Sequence, residues 1–167
     1  MKPYYERYPG NERKALQHYR QNIQLAEALL PSLSIYEVAL RNSIIRELER
    51  MTGRKDWYAF FLTIQALKAL VDQVDIAKQH INMPKTKRQR KFISAPLNDI
   101  RALRNRVFHN ESISWSLMRL ESIHKSILEV CSWINPALPY WIKTVERFDN
   151  VILSVKLRWY GWWKLVL

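Results

Sequence analysis

Residues 97–109 read LNDIRALRNRVFH, and the spacing of their apolar side chains decides the fold. At 3.6 residues per turn, one side of the segment collects four apolar residues, namely Leu97, Ile100, Leu103 and Val107. The opposite side is polar. This pattern predicts an amphipathic helix that begins around residues 94–97, accepts Pro96 in its first turn, ends near His109 and buries its apolar side.

The polar side of this helix combines residue types that suit phosphate chemistry. Asn105 and His109 are four residues apart, so they are neighbours on a face that points away from the apolar stripe. Arg104 flanks the stripe, and Arg101 and Arg106 fill other outward positions. Histidine transfers protons near neutral pH, a carboxamide orients it or binds a substrate oxygen, and arginine binds phosphate. The alternative is a solvated helix end, where a histidine is favourable without any substrate.

Five further helices are predicted around this segment. Asn11 is a suitable N-cap for the first, whose apolar residues recur at spacings of three and four until Pro31 ends the helix or bends it sharply. Ser34 and Glu37 have the spacing of a capping box for the second helix, and Gly53 takes its C-cap position. The others are expected over residues 67–81, 117–134 and 140–153, while residues 1–10 predict an extended arm.

The composition agrees with helices. The chain has 167 residues, three glycines and seven scattered prolines, too few turn residues for a fold of many short strands. We therefore expect an all-α antiparallel bundle forming one domain over residues 1–167. Cys131 is the one cysteine, which excludes an internal disulfide, and its apolar surroundings place it in the core.

The charge points to a polyanionic partner. The formal net charge is +12, and residues 85–109 contribute eight basic residues against one acidic residue. The strip 82–92 is expected to be a loop that contacts an RNA backbone, the alternative being a mobile solvated loop. Its basic residues are Lys85, Lys87, Arg88, Arg90 and Lys91.

The ends of the chain bear on membranes. Residues 1–10 lack the apolar centre of a secretory signal, and no apolar run approaches the length of a membrane span, so we expect no stable membrane insertion. The aromatic tail, residues 154–167, extends the last helix, covers a core face or touches a partner. One functional hypothesis is therefore a membrane-surface protein that is anchored by this basic, tryptophan-rich tail.

Other polar residues were considered for the site. Glu37, Arg41 and Asn42 lie at helical spacing, and Asn42 falls in line with the apolar stripe, so it is expected to be buried. It or Arg41 either supports the 97–109 helix or forms a polar bridge within the core. The other three histidines share no metal-ligand spacing, and no metal site is predicted; they are His18, His80 and His124.

The segment RALRNRVFHNESI, residues 101–113, resembles the signature of HEPN domains (higher eukaryotes and prokaryotes nucleotide-binding), and more narrowly that of bacterial Abi-like abortive-infection proteins. In that family an arginine is followed after four to six residues by a histidine, and Arg104, Asn105 and His109 match the RNxxxH form. Residues 16–44 and 123–152 are similar to other helices of the group, in the same order. The chain departs from the family pattern at two places. The middle part is usually longer in the family, whereas here the short strip 82–92 stands in its place. Asn110 stands where a second histidine often follows the motif histidine.

The resemblance implies an HEPN-type bundle with an additional C-terminal helix, in a cytoplasmic protein. It implies a metal-independent, cofactor-free endoribonuclease that acts as a toxin or abortive-infection effector in defence against phage. Arg104 and His109 would be the catalytic pair, with Asn105 orienting and Arg101 and Arg106 binding the RNA backbone. The implied partners are RNA, a second copy sharing one cleft, and an antitoxin or other regulator. A non-catalytic HEPN module that binds RNA or a protein is the alternative.

Overall fold

The chain has an all-α fold, as the sequence predicts. The computed structural model describes residues 2–56, 84, 86 and 90–163, without the side chains of residues 90–91 and 160–163. Within these ranges there is no strand. The helices are α1 (Lys2–Arg7), α2 (Glu12–Thr52), α3 (Arg90–Phe108), α4 (Leu117–Ile134), α5 (Leu138–Val145) and α6 (Phe148–Trp163). The helix expected over 67–81 and most of the strip 82–92 lie outside the described residues.

Helix α2 is twice as long as expected because Pro31 lies inside it. Both predicted caps are confirmed: the Asn11 side chain accepts a hydrogen bond from the backbone N–H of Lys14, and Gly53 adopts the left-handed conformation with φ 67°. The predicted helix end at Pro31 and the new start at Ser34 were wrong. Apolar side chains on both sides of the proline are buried in one core, which offsets the backbone hydrogen bond that proline cannot donate.

The same helix is long and apolar enough to cross a membrane, judged by length and composition alone. The expectation that no stretch has these properties was therefore wrong. Core helices of soluble proteins meet the same criteria, and a third of the apolar window is buried within the molecule.

The N-terminal residues form helix α1 rather than the expected extended arm. Proline is compatible with the first turn of a helix, where Pro3 lies. Tyr4 is only 3% exposed, and its ring packs against those of His18, Tyr19 and Trp115. These contacts fix the segment to the body of the protein, which a scan for apolar periodicity over ten residues does not detect.

The core lies between α2, α3, α4, α5 and α6. Helix α2 packs most extensively on α4, and α3 also packs mainly on α4. Of the four apolar residues predicted to face the core from α3, Ile100, Leu103 and Val107 are buried and Leu97 is partly buried against the core. Cys131 is buried, as predicted. The largest fully buried side chains are Leu25, Leu29, Leu33, Leu48, Ile100, Ile127, Ile142, Phe148 and Val155.

Two helix boundaries differ from expectation. Helix α3 begins at Arg90, so the last part of the strip 82–92 is helical and not a loop. The segment expected as one irregular helix over 140–153 is two helices, α5 and α6, separated at Glu146, whose backbone is extended with ψ 157°. The carboxylate of Glu146 turns inward at this break and accepts hydrogen bonds from Ser32 and His124.

Candidate functional site

The motif residues lie at the C-terminal end of α3, which ends in a defined capping structure. Asn110 is left-handed with φ 54° and donates its N–H to the Val107 carbonyl at 3.2 Å, while the Glu111 N–H reaches the Arg106 carbonyl at 2.8 Å. These two bonds form a Schellman motif. Asparagine is one of the few residues besides glycine that accept this conformation readily. His109 is therefore the C-cap residue, and its exposed side chain leaves the helix at a fixed point.

Arg104 is held by a carboxylate from another helix. Its Nε and Nη2 atoms donate to the two carboxylate oxygens of Glu37 in α2, at 3.3 and 3.2 Å. Its guanidinium carbon lies 4.5 Å from the centre of the Phe108 ring. Nη1 is 3.5 Å from Asn105 Oδ1, a long and weak contact. Glu37 thus binds the Nε and Nη2 edge of the guanidinium. The Nη1 end lies near the exposed side chain of Asn105.

The structure does not bring Arg104 and His109 into contact within one chain. They are five positions apart in the sequence, which places them about 140° apart around the helix. Asn105 projects between them and is exposed, as predicted. Among the described residues, the imidazole of His109 has no hydrogen bond or ion pair.

The other predicted RNA-binding residues are only partly described. Arg101 and Arg106 are both exposed on α3, and Arg106 Nε lies 3.9 Å from a carboxylate oxygen of Glu111. The backbones of Arg90 and Lys91 form the first turn of α3, but their side chains fall outside the described part of the molecule, as do three basic residues of the strip entirely: Lys85, Lys87 and Arg88.

The prediction that Asn42 is buried was wrong. Both Asn42 and Arg41 are exposed, and no hydrogen bond or ion pair joins either of them to α3 in the described structure. The reason is the uninterrupted α2, whose buried side passes through Tyr36, Glu47 and Leu48 and leaves Asn42 on the opposite side. Of the three proposed supporting residues, only Glu37 reaches the motif helix.

Asn22, which the sequence pattern did not single out, holds the segment that follows the motif. This buried side chain accepts from the backbone N–H groups of Ile113 and Ser114, at 2.7 and 3.1 Å, and donates to the carbonyl of Glu111 at 3.2 Å. The spacing contained a signal for this residue. Asn22 lies seven residues after Ala15, so the two share one side of α2, and that side is buried. A polar residue on a buried side needs hydrogen-bond partners. Asn22 therefore fixes the backbone of residues 111–114, which directly follow the end of α3.

His18 supports the same segment from beneath. It is buried, its Nε2 is 2.8 Å from the hydroxyl of Ser114, and its Nδ1 is 3.2 Å from the hydroxyl of Tyr8. Burial, reinforced by the nearby charge of Arg7, lowers the pKa of His18 to about 4. A neutral, enclosed imidazole has a structural role, in keeping with the sequence interpretation of this residue. The fixed ring also packs edge-on to Trp159 of α6, part of the aromatic tail.

A second buried histidine, His124, lies in α4, the helix that follows the motif helix. His124 Nε2 donates to Glu146 at 2.7 Å, and both side chains are almost completely buried. Burial opposes the charge on Glu146, but the hydrogen bonds from His124 and Ser32 and the charge of Lys143 outweigh it and lower the pKa of this carboxyl. The described residues contain no cluster of three or more His, Cys, Asp or Glu side chains arranged for a metal ion.

Comparisons with known proteins return no relative for this arrangement. No protein-family model, no curated protein and no solved structure matches the chain. The functional argument therefore depends on the residues at the end of α3 and on the side chains that hold them.

Proposed function

We propose that the protein is a metal-independent endoribonuclease of the HEPN type, which acts in the bacterial cytoplasm as a toxin or abortive-infection effector. The observation that carries the proposal is the exposed His109 at a capped helix end, one turn from Asn105, on the same helix as a guanidinium that Glu37 holds at its Nε edge. A proton-transfer group and a positioned anion-binding group are what cleavage of a phosphodiester requires.

Arginine geometry supports a phosphate ligand. A guanidinium carries five N–H donors, and Glu37 uses one donor on each of Nε and Nη2. The Nη1 end remains available, apart from the weak contact to Asn105, and it lies on the exposed side of α3. A phosphate bound there would meet a group whose orientation is already fixed, so little conformational entropy is lost on binding.

The proposed reaction is transesterification within the RNA. His109 removes the proton of a ribose 2′-hydroxyl, and the oxygen forms a bond to the adjacent phosphorus. Arg104 stabilises the charge that grows on the phosphoryl oxygens. The bond to the 5′-oxygen breaks, and a second acid gives that oxygen a proton, leaving a 2′,3′-cyclic phosphate and a 5′-hydroxyl. In a homodimer with one shared cleft, the His109 of the second copy supplies this acid.

Electrostatics support an RNA substrate. Arg101 and Arg106 extend from the same helix, and the basic strip 82–92 leads into its first turn. With a net charge of +12, the protein attracts a phosphate backbone over distances set by ionic strength. Such an enzyme requires restraint in its own cell, so we include a protein or RNA antitoxin, or a triggering partner, in the proposal.

The test compares wild type with His109→Ala and Arg104→Ala, with Arg147→Ala as a control for an exposed arginine between α5 and α6 that is not part of the motif. Induced expression should arrest growth for wild type and the control only. Purified wild type should cleave RNA in the presence of EDTA and leave 2′,3′-cyclic phosphate ends. Toxicity that survives both motif substitutions, or products with 3′-hydroxyl ends, would contradict the proposal.

A specific observation favours a second candidate, a non-catalytic module that binds RNA or a protein. Arg104 and His109 lie on different sides of α3 and do not touch. If the two chains of a dimer do not bring one His109 near the other, no second acid is available. This candidate predicts RNA binding that Arg104→Ala weakens, with no cleavage by wild type under any ionic condition.

A further inference from the structure

Phe108 occupies an unusual place for an apolar residue at the end of α3. It immediately precedes His109, and its side chain is 48% exposed. Single exposed apolar residues are common and carry no meaning alone. Here, however, a second observation accompanies the exposure: the guanidinium of Arg104 lies over the ring at 4.5 Å from its centre.

The contacts of Arg104 make this ring a fixed surface. Glu37 holds the guanidinium with two hydrogen bonds, and the guanidinium in turn covers part of Phe108. The backbone beneath is locked by the capping bonds that follow the ring. An aromatic surface that is already ordered binds a flat ligand without a further loss of side-chain entropy.

The surroundings identify the class of flat ligand. Arg101 lies seven residues before Phe108, which places it nearly in line along α3 and about 10 Å away along the helix axis. Next to Phe108 on the other side are His109 and the carboxamide of Asn105. Cations for phosphates beside an aromatic ring are the elements with which proteins bind single-stranded nucleic acids.

We propose that the exposed part of the Phe108 ring stacks an unpaired nucleobase of the bound RNA. The inference rests on the RNA-binding part of the proposed function and adds the residue that holds the base beside the phosphate. In an A-form duplex each base is stacked and paired within the helix, and it cannot reach an aromatic side chain beside the backbone. The base next to the phosphate on Arg104 is the one in reach.

The experiment measures binding in the His109→Ala background, so that the outcome does not depend on whether the protein cleaves RNA. The probe is a short single-stranded RNA with 2-aminopurine replacing its adenines, whose fluorescence is quenched when the base stacks. Phe108→Ala should weaken binding about tenfold and abolish the quenching caused by the protein. Phe108→Trp should retain both within about twofold, and a duplex of the same sequence should be insensitive to either substitution.

The matched control is Trp141→Ala, because Trp141 is an aromatic residue of similar exposure, 54%, and lies on α5, outside the proposed RNA-binding residues. It should leave the quenching unchanged. Equal losses for both aromatic residues, or unchanged quenching in Phe108→Ala, would overturn the proposal. A change of oligomeric state in Phe108→Ala without loss of quenching would also overturn it, since Phe108 would then belong to a protein interface. Wild type that shows Phe108-dependent quenching without cleavage would leave this site standing while the ribonuclease proposal fails.

Discussion

At the scale of single residues, the geometry of Arg104 depends on a side chain that is 67 positions earlier in the sequence. Glu37 fixes the guanidinium from α2, and without it the arginine would retain several rotamers. Both side chains are partly exposed, so the pair contributes little to folding stability. Its effect should therefore appear in function and not in the melting temperature.

We expect Glu37→Gln to reduce RNA cleavage about tenfold, equivalent to about 1.4 kcal/mol in the barrier, because the amide accepts only one of the two hydrogen bonds and carries no charge. The initial rate on a defined RNA measures this effect, and the melting temperature should change little. Glu27→Gln, an exposed carboxylate on the same helix, is the control. Equal rates for the two variants would exclude a positioning role.

Asn22 gives a prediction about stability. Asn22→Ala leaves the buried N–H groups of Ile113 and Ser114 without their acceptor, and we expect it to lower the free energy of unfolding by about 3 kcal/mol. Urea denaturation measures the difference. Asn42→Ala is the same substitution at an exposed position of α2 and should change stability by less than about 0.5 kcal/mol. A large effect at Asn42 would contradict the observed phase of α2.

At the scale of elements, α2 connects the described fold because it packs against every other described helix. It contacts α1, α3, α4, α5 and α6. Its two halves are apolar on a shared face, and Pro31 between them removes one backbone donor from the helix interior. The helix persists because burial on both sides of the proline exceeds this local penalty.

Restoring the missing donor should stabilise the helix. We expect Pro31→Ala to raise the free energy of unfolding by about 1–3 kcal/mol, the difference between proline and alanine in a helix interior reduced by the greater entropy of the unfolded alanine chain. Pro3→Ala, in the first turn of α1, is the control and should have little effect. A melting temperature that falls in Pro31→Ala would show that the proline shapes α2 for packing.

At the scale of the whole molecule, a buried polar cluster joins the two ends of the chain to the segment after the motif. His18 of α2 contacts Tyr8 near the N-terminus, Ser114 after α3 and Trp159 near the C-terminus. The Trp159 indole also donates to Gln21 at 2.7 Å. The end of the motif helix is thus supported by residues that are distant in sequence.

This cluster makes stability depend on pH. The pKa of His18 is about 4 in the folded protein and 6.5 in an ordinary environment, so between these values the unfolded chain binds more protons. Stability is therefore full above about pH 6.5 and declines as the pH falls towards 4, by about 3 kcal/mol in total. Urea midpoints at pH 7, 5.5 and 4.5 should show this decline, and His18→Gln should show much less of it.

Glu146 acts in the same direction at lower pH. The pKa of Glu146 is lower in the folded protein than in the unfolded chain. Glu146 therefore stabilises the fold at pH values above its ordinary pKa, and this contribution is lost as the pH falls through its pKa in the folded protein. The decline between pH 6.5 and 5 therefore reports mainly on His18. Identical pH profiles for wild type and His18→Gln across that interval would contradict the assignment.

Local sequence patterns were sufficient to predict the helical class, both caps of α2, the apolar side of α3 and the outward direction of Asn105 and His109. These features follow from periodicity and from hydrogen bonds within a few residues, which a local pattern records. The sequence also pointed to Glu37 as a supporting residue, though not to the partner that Glu37 binds.

The remaining features became visible only in the folded molecule. They are the continuity of α2 through Pro31, the exposure of Asn42 and the anchoring of α1. The contacts of Arg104, Asn22 and His18 belong to the same group. Each depends on residues from different helices meeting in space. The free energy of burying a common core exceeds local preferences such as that of proline, and it sets the phase of a long helix in ways that spacing within one segment does not reveal.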